Sequence, residues 1–242
     1  MYMKKALALL LSILIAFSFF TVAFATEDIT PVIIVSGMNC FPLTLAETGE
    51  QVWPPKGDSI LAVVKENIVP LGKFLFTKDW QYLADELIED VYKGIFEKVA
   101  CDEKGESVYD IETKIFPKSL DNYPEDFRDS ELSVSEKGIA KSLMREIGGD
   151  NVYYFNYDWR LDPITLAGDL SDADDLNAFI ENVKKEKGSD KVTLIPCSMG
   201  GTVTNAYLYK YGSESVQKII YTMAAFQGLS SVGEMFSRGI DL

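Results

Sequence analysis

The sequence predicts an α/β protein, a mostly parallel sheet with helices on both faces, and three observations carry that reading. Short apolar, β-branched runs stand at residues 32–35, 152–155 and 192–195, with a more mixed one at 216–222. Runs this short and continuous suit strands buried on both faces. Amphipathic segments lie between them, and strands alternating with helices imply parallel pairing through crossover connections. Glycines close the segments: Gly37 after the first run, Gly148-Gly149 before the second, Gly188 before the third.

Each element has its own signal. Pro31-Val32-Ile33-Ile34-Val35 ends at Ser36-Gly37, where a loop starts. Residues 135–147 space Ile139, Leu143 and Ile147 as one helical face, with Gly148-Gly149 as the stop. Val152-Tyr153-Tyr154-Phe155 is the next strand. Residues 173–187 put Leu176, Phe179, Ile180 and Val183 on one side of a helix. The strand at 192–195 leads into a helix from Thr202 to about Tyr211, and a last strand covers 216–222.

Residues 40–130 break the alternation. They hold a helical stretch at 60–67, an aromatic group of Trp53, Phe74, Phe76 and Trp80, and an amphipathic segment at 83–99, then an acidic stretch with prolines. Ninety residues are too many for a connection, so they are expected to be an inserted helical lid. The aromatic group reads first as core of that lid and second as a surface for acyl chains.

Between the strand at 192–195 and its helix stands Pro196-Cys197-Ser198-Met199-Gly200-Gly201. Strand, tight turn and helix with serine at the apex form a nucleophile elbow. Gly200 and Gly201 supply the small neighbours such a turn needs. The Met199 amide, at the start of the helix, is placed to donate to an oxyanion. Pro196 departs from the G-x-S-x-G pattern, at a strand end where a missing N–H is tolerated. The bland reading of Ser198 is a helix-capping serine.

The 242 residues, 47% hydrophobic, suit one domain with an insertion. Residues 1–25, with Lys4 and Lys5, an apolar run and Ala23-Phe24-Ala25, read as a secretory signal peptide, with an uncleaved anchor as the lesser alternative. Its removal takes two lysines and no acid, so the net charge moves from −14 to −16. That charge opposes nucleic-acid partners and leaves neutral lipids and esters open. Cys40, Cys101 and Cys197 are an odd number for an exported chain; a Cys40–Cys101 bridge and free buried thiols both stay open. Asp172, Asp174 and Asp175 read as a solvated helix start rather than a metal site. No cofactor or metal is expected.

Tyr157-Asp158-Trp159-Arg160 after a strand, Cys197-Ser198-Met199-Gly200-Gly201, and the strand and loop of residues 31–39 together resemble the lecithin:cholesterol acyltransferase-like branch of the α/β-hydrolase superfamily, which includes lipases, phospholipases and lipid O-acyltransferases. The resemblance spans roughly residues 31–228. It implies Ser198 as nucleophile and the amides of Met38 and Met199 as the oxyanion hole, each donor typically contributing about 3 kcal/mol to the transition state. Cys197 replaces a family histidine that is not the catalytic base. Val52-Trp53-Pro54 is similar to the start of the family's lid, which makes Trp53, with Trp159, a candidate substrate-binding residue. The plainer reading of the Tyr-Asp-Trp-Arg run is a packed Trp beside an Asp–Arg pair that holds a loop.

The sequence contains no histidine. In the family the triad acid and histidine follow the serine, and the chain reaches Leu242 one strand beyond the elbow, so the predicted sheet lacks its C-terminal strands. Asp169 and Asp241 are candidate acids only by elimination. Two functions follow as expectations: an exported serine esterase, lipase or O-acyltransferase acting through an acyl-Ser198 intermediate, touching a membrane or lipid interface transiently; or a catalytically incomplete fragment or lipid- or glycan-binding module.

Overall fold

The computed structural model describes residues 29–38, 40–113, 116–123, 134–170 and 174–226. Residues 1–25, where the signal peptide is expected, and Asn39, Asp172 and Asp241 lie outside these residues. The apolar runs become four parallel strands: β1 (Val32–Val35), β5 (Val152–Phe155), β6 (Val192–Pro196) and β7 (Val216–Ile219), in the order β5-β1-β6-β7. The chain adds β5 on one side of β1 and then β6 on the other. That reversal makes the carboxyl ends of β1 and β6 a topological switch point, the place beyond which open α/β sheets bind ligands in a crevice.

Period-two alternation divides β1 between two cores. Ile33 and Val35 join Tyr153, Phe155 and Leu194 under α5 (Pro163–Gly168), α6 (Leu176–Lys187) and α7 (Gly200–Tyr211). Val32 and Ile34 join Val152, Tyr154 and Ile195 on the opposite face, under α4 (Val134–Ile147). The helices follow local rules. Asp175 caps α6 by accepting from the Ala178 N–H at 2.9 Å, and Gly188, at φ 61°, ends it. The predicted face Leu176, Phe179, Ile180 and Val183 is the buried one.

The insertion is more than a bundle of helices. Alongside α1 (Gly57–Glu66), α2 (Ile68–Thr77) and α3 (Trp80–Val91), which runs on through a π turn at Tyr92–Phe96 and a 3₁₀ turn at Glu97–Val99, it carries a three-stranded antiparallel sheet. That sheet pairs β2 (Leu43–Leu45) with β3 (Gln51–Trp53) and with β4 (Ile111–Thr113). Strands of three residues carry too little alternation to be read from sequence.

The aromatic group splits rather than forming a core. Phe74 and Trp80 stack at 4.5 Å with Trp80 half exposed, and Phe76 is 91% exposed. Trp53 instead turns inward, 5.8 Å from the ring of Phe96 and 5.8 Å from that of Trp159. The Cys40–Cys101 bridge does not form, and all three cysteines are thiols. Cys40 is held under the first strand's loop by Glu136, while Cys101 pairs with Ser107 within the insertion. No helix among the described residues is long and apolar enough to cross a membrane.

Candidate active site

Ser198 sits at the carboxyl end of β6 with φ 48°, a left-handed conformation costly for a residue with a Cβ. Five backbone bonds hold it there. Cys197 donates to the Val35 carbonyl at 2.9 Å, continuing the β1–β6 ladder one step past the strand. Ser198 donates to Thr222 O at 3.2 Å, and its own carbonyl accepts from Gly201 at 3.0 Å and Ala225 at 3.3 Å. Gly200 donates to Cys197 O at 2.7 Å, closing the turn into α7. Pro196 is the last residue of β6, and its carbonyl accepts the Thr222 N–H at 2.9 Å.

Close approach explains the glycines. A Cβ on Gly200 would lie 2.4 Å from Val35 O and 2.6 Å from Ser36 O. One on Gly37 would lie 3.2 Å from the Ser198 Cβ. The turn after β1 therefore lies directly against the elbow serine, with Met38 next in the chain to Gly37 and Met199 next to Ser198. Met38 stands at the exposed crest of that turn; Met199 precedes α7, where the positive end of the helix dipole favours negative charge.

Cys197 points away from the apex. It is buried, its Sγ lies 2.9 Å from the Thr222 hydroxyl, and burial raises its pKa, so the thiol stays protonated. Behind the turn, the Tyr157 hydroxyl donates to Ser36 O at 2.7 Å, and burial pushes its phenol pKa up. Tyr157 thus pins the end of β1.

In the rest of the Tyr-Asp-Trp-Arg run, the Arg160 guanidinium grips Asp158 at 2.9 Å (Nε to Oδ1) and 2.6 Å (Nη2 to Oδ2), and Nη1 donates to Val99 O at 3.3 Å. This is the loop-holding pair the sequence favoured. Trp159 Nε1 is buried with no hydrogen-bond partner among the described residues, beside Trp53. Of the carboxylates named from sequence, Asp169 pairs with Lys210, Asp175 caps α6 and Asp174 is exposed. No group of three or more metal-ligating side chains occurs among the described residues.

Sequence reasoning missed Glu136, a buried carboxylate in the first turn of α4 that accepts the Gly37 N–H at 2.9 Å. The 99 residues between the partners hid it.

Sheet order, switch point and serine elbow define an α/β-hydrolase-like protein. A lecithin:cholesterol acyltransferase family model matches residues 142–239, so the chain is similar to that family over those residues. The match contains the Tyr-Asp-Trp-Arg run and the elbow, while β1, the Gly37 turn and Trp53 lie before it. Among solved structures, one described as the crystal structure of the Tle4-Tli4 complex is similar at 18% identity and a TM-score of 0.43. The similarity covers 88% of this chain and 48% of that one, so the chain spans about half the length of that relative. No curated protein matches it.

Proposed function

We propose that the chain acts on lipid esters as an acyl hydrolase or O-acyltransferase of the serine-elbow type. The observation that carries this reading is Ser198 at φ 48°, with the Gly37 turn packed against its Cβ. Ser198 Oγ attacks the ester carbonyl as its proton passes to solvent water, which returns one to the departing alcohol, and the N–H groups of Met38 and Met199 stabilise the oxyanion. The C–O bond to the alcohol breaks, the alcohol leaves with a proton, and water or a second alcohol takes the acyl group from Ser198.

Lipid as the substrate class is supported by the family and by the insertion, whose α1–α3 expose Leu61, Ile68, Val69, Leu75 and Phe76. Exposed apolar surface of this kind suits transient contact with a lipid interface. Trp53 and Trp159 are the proposed substrate-binding aromatics. Residues 1–25 support export.

The sequence supplies no imidazole, and an unassisted serine hydroxyl is a poor nucleophile. That absence favours a second reading, a module that binds lipid or glycan without turnover. Added imidazole separates the two. Incubation with a fluorophosphonate probe, with and without imidazole, is expected to give an adduct mapped by mass spectrometry to Ser198, faster with imidazole and lost in Ser198→Ala. No Ser198 adduct under either condition overturns the catalytic reading in favour of binding.

A further inference from the structure

We propose that Glu136 is the positioning residue of the Gly37–Met38 turn, a role that rests on the reading of Ser198 as a nucleophile. Glu136 is 2% exposed, and donors from Gly37, Cys40 and Tyr154 reach its carboxylate. Oε1 accepts the Gly37 N–H at 2.9 Å and the Cys40 thiol at 3.5 Å, and Oε2 accepts the Tyr154 hydroxyl. The first turn of α4 adds the positive end of a helix dipole.

The geometry fixes one peptide plane beside the reacting atoms. Glu136 takes the Gly37 N–H, which commits that donor and leaves the following amide, Met38, as the one the turn can offer to an oxyanion. Gly37 is tightly surrounded: its Cβ would lie 3.2 Å from Ser198 Cβ and in contact with Cys40 Sγ at 3.4 Å and Glu136 Oε1 at 3.5 Å. Glu136 therefore grips, from the α4 face, a turn whose other side touches the nucleophile. Tyr154, on β5, fixes the carboxylate's second oxygen and so ties the grip to the sheet. A donor displaced by a fraction of an ångström loses much of its value in the transition state.

Glu136→Leu keeps the volume and removes both acceptors; Glu136→Gln keeps one. Hydrogen exchange of the Gly37 amide is expected to speed up about tenfold or more in Glu136→Leu and to stay within a few-fold of the parent in Glu136→Gln. With the probe, Glu136→Leu is expected to lower the maximal labelling rate of Ser198 with the half-saturating concentration unchanged, and Glu136→Gln to restore it. Parental Gly37 exchange in Glu136→Leu overturns the proposal. A labelling loss in half-saturation alone also overturns it, since that marks a binding defect. If Glu136→Leu does not fold, Tyr154→Phe replaces it: raised Gly37 exchange supports the role and parental exchange overturns it. The exchange readout needs no activity, so a parent that never labels defeats the catalytic reading and leaves the positioning role tested.

Discussion

Gly200 passes so close beneath Val35 that the two backbones occupy the space of a methyl group: a Cβ on Gly200 would stand 2.4 Å from the Val35 carbonyl oxygen. The obstacle is main chain in the central strand, which cannot rotate away. Gly200→Ala is therefore expected to destabilise the fold by about 3 kcal/mol or more, because strand β1 or the elbow must shift. Gly138 is the control, an exposed glycine inside α4 with nothing within 4 Å of its Cβ position. Gly138→Ala is expected to stabilise by about 0.5–1 kcal/mol through helix propensity. Urea midpoints of the two variants test both signs.

Arg160 and Asp158 form a buried bidentate pair, with side chains 5% and 13% exposed. Removing one partner leaves the other charge buried alone. Arg160→Met is expected to cost about 3–5 kcal/mol in denaturant unfolding, and the double variant Asp158→Leu/Arg160→Met much less. Arg160→Lys is expected to fall near the single variant, since lysine lacks the fork that spans both oxygens.

Tyr123 and Tyr157 have phenol pKa values raised by burial. Each is protonated in the fold beyond the pH at which it ionises in the unfolded chain, near the ordinary tyrosine value of 10.0. The stability linked to them is whole below about pH 10 and is lost as pH rises through the folded pKa. Alkaline titration is expected to show part of the tyrosinate absorbance appearing only together with loss of near-ultraviolet circular dichroism. Smooth ionisation of all twelve tyrosines in folded protein is the contrary result.

Cys197 is 1% exposed with its pKa raised by burial, while Cys101 is half-buried in the insertion. Iodoacetamide at pH 8 is expected to modify Cys101 at least tenfold faster than Cys197. Peptide mapping over time reads both rates. Equal rates indicate an elbow that opens on the timescale of the reaction.

The sheet was legible because its strands are buried on both faces: a run such as Val32-Ile33-Ile34-Val35 has few other uses. The elbow was legible because Ser198, Gly200 and Gly201 are neighbours in sequence, and the turn's constraints fall on adjacent residues. Glu136 was hidden for the opposite reason, since its partner Gly37 lies 99 residues away and one glutamate in a helix's first turn looks like dipole complementarity. The insertion was legible only as an interruption. Its three-residue strands and the inward turn of Trp53 depend on contacts with Phe96 and Trp159 that no local pattern encodes.

The Arg160 bond to Val99 has a mechanical consequence. Val99 closes the helical arm of the insertion, so the arm's base is moored to a guanidinium already committed to Asp158. Any outward swing that carries Val99 along must strip a donor bond from a nearly dry cation. Motions of the arm that leave Val99 in place keep that bond intact, so the mooring favours displacement of the apolar tips of α1 and α2 over displacement of the base.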